Sequence, residues 1–279
     1  MEAIIYTIIF ITGALFGSFC TLATYRIPRH QDITHTRSYC PNCNHKLGFF
    51  DMFPIISYIF LGGKCRYCKQ KISPRYLALE VFSGASFLAL FVFMRIDLLH
   101  INVYALCKFG FFALFLTYLF LTAWIDKENR KVEKGVSIFG IIISLIYIVY
   151  LCIVEKANIY KYAIYIGFYI LVLILDTIVL RKFAKNKYIN GLLLTLITMA
   201  IFTKEYIAYL TVTATCLSIA IYMLIIKLKN IKNKSLKSDK QISSTIPIAY
   251  FMCMSNLILL LYFYGAVYFK LWKYQYIIL

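Results

Sequence analysis

The most specific chemistry in this sequence is carried by two C-x-x-C pairs: Cys40 and Cys43 in SYCPNCNHK, then Cys65 and Cys68 in GGKCRYCKQK. Each pair supplies half of a tetrahedral four-thiolate set, the pattern of a structural zinc centre, in which each pair forms one knuckle. Two disulfides or redox chemistry are the alternatives, and a reducing compartment disfavours the first. Lys46, Lys64, Arg66 and Lys69 flank the pairs and partly offset the negative charge of a zinc–thiolate centre. His35 and His45 lie nearby as substitute ligands, although four thiolates already close such a site. Cys20, Cys107, Cys152, Cys216 and Cys253 fall in apolar runs and read as small buried hydrophobes.

The second candidate is a carboxylate. In LTAWIDKENRK, residues 121–131, an apolar run ends and Asp126 follows at once. It is either a helix-end acid paired with Lys127 or Arg130, or one half of a catalytic pair in which two carboxyls share a proton. Asp176 in LVLILDTIVLRKF is a further acid inside an apolar run, about one turn before Arg181. Pairing with Arg181 or Lys182 is its simpler reading. Glu80 and Glu128 are other acids near the same face.

The elements that position these groups are membrane helices. Of 279 residues, 62% are hydrophobic and only 15% charged, and the mean hydropathy is +0.76, which excludes an ordinary soluble domain. About eight apolar stretches recur, at 3–24, 77–95, 104–125, 136–154, 159–180, 189–203, 206–226 and 246–269. Crossing a bilayer core of about 30 Å takes roughly 20 residues, so 189–203 is the shortest candidate. The expected fold is an all-α polytopic membrane protein, with a small cytoplasmic zinc-binding module between the first and second spans. Its parts are the first helix (1–24), the four-cysteine module (25–76) and a helical membrane domain (77–279). The first stretch carries Glu2 and no small-residue cleavage pattern, so it reads as a retained helix rather than a secretory signal.

Segments 25–76, 126–135, 181–188 and 227–245 hold 23 of the 30 Lys and Arg. By the positive-inside rule they face the cytoplasm, which leaves both termini outside. The net charge of +18 is then met by anionic headgroups of the lipid bilayer, with no nucleic acid required. The stretch KLKNIKNKSLKSDKQISST at 227–245 reads as a flexible cytoplasmic loop.

In order along the chain come GSF at 17–19, Arg26 with Pro28, the double C-x-x-C, FPIISY at 53–58, GGKCRYC at 62–68 and ISPRYLALE at 72–80. Gly13 and Gly17 precede them in a G-x-x-x-G step, whose plain reading is close helix packing. That order resembles the type IV prepilin peptidase family, the leader peptidases and N-methyltransferases of bacterial pilus and type II secretion systems. IPIAYFM at 246–252 is similar to the family's closing loop-to-helix motif.

The resemblance implies a membrane aspartyl protease of the bacterial cytoplasmic membrane. It would cut the leader from prepilin or pseudopilin precursors at the cytoplasmic face, then methylate the new N-terminus with S-adenosylmethionine. Asp126 matches the family's first catalytic aspartate. The second belongs to a Gly-x-Gly-Asp element, against which this chain sets Lys187-Tyr188-Ile189-Asn190. An amide has no titratable proton, so Asn190 can orient water but cannot complete a dyad. Asp176 is the candidate substitute. Glu80 falls in the ISPRYLALE stretch, where supporting, methyl-transfer and structural roles stay open. Two further readings follow: a member that has lost proteolysis and kept methyl transfer, and a non-enzymatic factor that binds pilin precursors or assembly proteins.

Overall fold

Apolar runs free of internal proline set the helices, and proline marks their edges. The computed structural model describes residues 2–96, 102–178, 187–203, 205–233 and 246–268. Among these, α1 is Glu2–Arg26, α2 Ile56–Phe60, α3 Pro74–Phe93, α4 Val103–Asn129, α5 Lys134–Val154, α6 Ile159–Ile178, α7 Lys187–Thr203, α8 Glu205–Asn233 and α9 Ile248–Tyr268. Pro74 opens α3, where its missing N–H has no intrahelical acceptor to lose, and Pro247 stands immediately before α9. After α1 the chain tightens into a 3-10 turn, Ile27–Arg29, at Pro28.

The protein is a multi-pass all-α membrane protein. Six helical segments are long and apolar enough to cross a bilayer: Glu2–Arg29, Pro74–Phe93, Val103–Asn129, Lys134–Val154, Glu205–Leu228 and Ile248–Ala266. Two further expected crossings are shorter apolar helices, Ile159–Leu175 and Tyr188–Thr203. At 1.5 Å per residue the whole of α6 reaches about 30 Å, the thickness of a hydrocarbon core, and α7 about 25 Å. The basic stretch 181–186 and the polar stretch 234–245 lie outside the described residues.

The chain divides into two compact units, one of residues 1–121 with 261–279, the other of residues 122–260. In the first, α1 lies directly on α3. A Cβ added at Gly13 would stand 2.7 Å from Cβ of Phe87, and one at Gly17 would stand 2.9 Å from Cα of Glu80. The G-x-x-x-G step is therefore a packing seam, as its spacing indicates. Phe16 stacks on Phe87 beside it, and Phe82 meets Phe120 edge-on.

In the second unit several polar side chains of the apolar helices bond across from one helix to another. Tyr169 on α6 donates to Ser144 of α5 at 3.2 Å and shares a 2.8 Å hydrogen bond with Thr198 of α7. Asn256 on α9 donates to Thr211 of α8 at 3.0 Å and to Thr203 of α7 at 3.4 Å. Tyr147 of α5 stacks on Phe202 of α7, with ring centroids 4.5 Å apart. Hydroxyl and amide pairs of this kind tie helices together where no water is available to satisfy them.

Candidate functional site

Two short turns of the same design bring the cysteines together. In the first, the amide of Cys40 donates to the carbonyl of His45 and the amide of Asn44 donates to that of Cys40. In the second, Cys65 donates to Gln70 and Lys69 donates to Cys65. Asn44 and Lys69 hold corresponding left-handed conformations, with φ of 54° and 60°. Each turn is closed by one extended pair, Tyr39 with Lys46 and Lys64 with Lys71.

The four sulfurs lie within 4.8 Å of one another, and Cys40 Sγ stands 3.8 Å from Cys68 Sγ. Neither pairing is a disulfide, since all four are free thiols. A tetrahedron with metal–sulfur bonds of about 2.3 Å has edges of about 3.8 Å, so the group fits a metal ion and is compatible with zinc. The Gln70 amide and then the Asn42 side chain pull the Cys68 thiol down to about 6. Although the His45 amide favours its thiolate, burial and crowding by Cys40 and Cys68 push Cys43 up to about 11. His45 is engaged elsewhere, in a tilted contact with the Tyr67 ring with centroids 3.6 Å apart, and His35 lies 3.3 Å from Asp32.

Three charged side chains shape the backbone around this module. Arg26, buried at the end of α1, donates to the carbonyls of Asp32, Thr36 and Arg37 at 2.8–3.1 Å. Asp51 accepts from Arg66 Nε at 2.6 Å, from the Tyr67 hydroxyl at 3.1 Å and from the Gly48 amide at 3.1 Å. Glu80, buried on α3, accepts the Ile55 amide at 2.8 Å. Of these, Glu80 was singled out from sequence; the structure places it as a clamp on the loop between the two cysteine pairs.

In the second unit Asp126 is fully buried near the end of α4. One carboxylate oxygen accepts from the Tyr188 hydroxyl at 2.9 Å, the other from the Tyr250 amide at 3.0 Å. The Tyr188 oxygen in turn accepts from the amides of Ile248 at 2.9 Å and Ala249 at 3.3 Å. A phenol has one proton and two lone pairs, and here all three are used. Asp126 and Tyr188 together satisfy the first three N–H groups of α9, which a helix start leaves without intrahelical acceptors.

Asp126 makes no ion pair among the described residues. Lys127 lies over the rings of Tyr250 and Trp124, with Nζ 4.8 and 5.3 Å from their centroids. Arg130 bonds Asp126 through its backbone only, N to O at 2.9 Å, and its buried Nη1 has no partner. The pairing of Asp126 with Lys127 or Arg130 that its position suggests is thus replaced by a tyrosine and a helix end.

Asn190 is buried on α7, and among the described residues the hydrogen bonds to the Asp126 carboxylate come from Tyr188 and Tyr250. Tyr188, two residues earlier, is the α7 residue that meets the carboxylate. Sequence reasoning missed it, and its only signal was its place within Lys187-Tyr188-Ile189-Asn190. Gly191 beside it admits the chain after α4, since an added Cβ would stand 2.5 Å from Cβ of Val132. The side chain of Asp176 lies outside the described residues, and Glu128 is exposed.

Residues 11–94 match the Bacterial Peptidase A24 N-terminal domain. Over 86 residues the chain is 40% identical to the prepilin leader peptidase/N-methyltransferase of Vibrio cholerae, covering 28% of this chain and 34% of that protein. It is 41% identical over 83 residues to the protein of that name from Bacillus subtilis, covering 30% and 34%. The Myxococcus xanthus protein of the same name is 37% identical over 81 residues, covering 29% and 24%. The matches thus span about a third or less of these relatives' lengths. No solved structure matches the chain. The four-cysteine module thus lies inside the segment, residues 11–94, that is similar to the Bacterial Peptidase A24 N-terminal domain and to proteins named prepilin leader peptidase/N-methyltransferase.

Proposed function

We propose that the protein is a membrane aspartyl peptidase that cleaves type IV prepilin-like precursors and N-methylates the new N-terminus. The site faces the cytoplasm at the bacterial inner membrane, and both termini lie outside. The observation that carries this reading is Asp126, a fully buried carboxylate near the end of a spanning helix, in a chain that opens with an A24 N-terminal domain. Prepilin and pseudopilin precursors are the proposed substrates, a reading supported for prepilins by the name of the Vibrio cholerae relative.

In this reading Asp126 takes a proton from the attacking water while a second group gives one to the leaving amine. Asp176 is the proposed second acid, and Asn190 orients water. Zinc on Cys40, Cys43, Cys65 and Cys68 supplies no chemistry to the substrate; it holds the module closed. S-adenosylmethionine is the proposed methyl donor and would supply the methyl group that the new N-terminus receives. The described residues assign no site to it.

One observation favours a second reading, methyl transfer without cleavage. The α7 residue that meets Asp126 is Tyr188, whose oxygen is fully engaged, rather than a carboxylate. The readings separate in membranes holding wild-type protein, Asp126→Ala or Asp176→Ala, given an intact prepilin or a pre-cut pilin. Cleavage lost in both variants supports the two-acid peptidase. Methylation of pre-cut pilin without cleavage of the precursor supports the second reading. Neither activity leaves a non-enzymatic pilin-assembly factor.

A further inference from the structure

The loop between the two cysteine pairs is built inside out for a water-soluble module. It lies outside the spanning segments Glu2–Arg29 and Pro74–Phe93, yet Phe49, Phe50, Phe53, Ile56, Ile59 and Phe60 are all exposed, Phe50 at 77% and Phe60 at 86%. These six exposed large apolar side chains between residues 49 and 60 are a concentration that soluble proteins avoid unless something covers it. The rings associate edge to face, with Phe49 5.7 Å from Phe50 and 5.6 Å from Phe53.

Polar clamps hold the apolar groups outward. Asp51 ties the start of the loop to Arg66 and Tyr67. Glu80 ties its middle to α3 through the Ile55 amide. Ile55 has φ of +62°, a conformation that a β-branched residue adopts only when its surroundings impose it. The surface is therefore fixed in place by buried carboxylates and is not the loose end of a coil.

Three features identify what covers it. The module leaves α1 at Arg26 and enters α3 at Pro74, both ends of spanning helices, so it cannot depart from the bilayer surface. Exposed Lys46, Lys64, Lys69 and Lys71, with Arg66, flank the patch on the two cysteine turns, and the acid within the loop, Asp51, already pairs with Arg66. Aromatic and aliphatic tips bordered by cations match an anionic headgroup layer above acyl chains.

We propose that residues 49–60 insert into the interface of the anionic bilayer leaflet, so that the four-cysteine module is anchored against lipid as well as by its flanking helices. This inference does not depend on which enzymatic reading holds. The test uses the full chain in vesicles of phosphatidylcholine and phosphatidylglycerol, with Phe50→Trp or Phe60→Trp introduced and the signal of the parent chain subtracted. Both positions are exposed, Phe60 the more so, and at Phe50 another aromatic ring keeps the edge-to-face contact with Phe49. Val149→Trp on α5, exposed on a spanning helix, serves as the lipid-facing reference.

Brominated acyl chains are expected to quench the tryptophans at 50 and 60 about twofold, approaching the reference, while acrylamide in the water quenches them little. Strong quenching by acrylamide with none by brominated lipid overturns the proposal. So does shielding that appears only when a prepilin peptide is added, which assigns the patch to a protein partner.

Discussion

The Tyr188 hydroxyl donates to Asp126 at 2.9 Å while accepting from the Ile248 amide at the same distance, so one phenol joins the end of α4 to the start of α9. Removing it leaves a buried carboxylate oxygen and the Ala249 amide short of a partner, and leaves the Ile248 amide only the Ile246 carbonyl. Tyr188→Phe is expected to destabilise the full chain by about 1–3 kcal/mol, read as a lowered thermal midpoint in detergent. Asp126→Ala should cost at least as much, and Asp126→Asn less, since an amide oxygen still accepts from Tyr250. A midpoint unchanged by Tyr188→Phe contradicts the role assigned to that hydroxyl.

The four cysteines should carry about one metal ion per chain, with zinc expected. Elemental analysis of the purified full chain checks this. Cys40→Ser or Cys65→Ser, each removing a buried thiol, should bring the metal content close to zero and expose residues 25–76 to protease. Metal retained in both variants would contradict the site.

Asp51 gives the module a dependence on acid. Burial raises its pKa, but Arg66, the Gly48 amide and the Tyr67 hydroxyl outweigh that and hold the carboxyl below the usual range. A group whose folded pKa is depressed contributes stability above its unfolded value of about 3.9 and loses it as pH falls through the folded value. Proteolytic protection of the loop should therefore be steady above that range and fall below it. Asp51→Asn should show the weakened state at neutral pH and a smaller change on acidification. A variant that titrates like the parent would show that another group governs the transition.

Gly17 faces backbone, with Cα of Glu80 and the Leu79 carbonyl within about 3 Å of an added Cβ. Neither can swing aside as a side-chain tip can. Gly17→Ala should force α1 away from α3 and cost about 1–3 kcal/mol, measured by thermal unfolding. Gly110→Ala, where an added Cβ meets nothing within 4 Å, should leave the midpoint unchanged.

Local features were legible in the sequence, and long-range ones were not. The C-x-x-C spacing encodes a turn that closes within a few residues, so Cys40, Cys43, Cys65 and Cys68 could be grouped directly. The apolar runs and the Gly13–Gly17 step likewise depend on near neighbours. Tyr188 was hidden because its meaning depends on Ile248 and Ala249, some sixty residues later in the chain. The same holds for Glu80, whose partner Ile55 lies in a loop that periodicity does not describe. Charge alone suggested Lys127 for Asp126, but aromatic faces of Trp124 and Tyr250 took the ammonium instead.

The central claim, that this chain processes prepilin-like precursors, is tested most directly by the mass of a pilin after incubation with membranes containing the full-length protein and S-adenosylmethionine. The account predicts loss of the leader and one added methyl group at the new N-terminus. An uncut precursor, together with a pre-cut pilin that stays unmethylated, would contradict it.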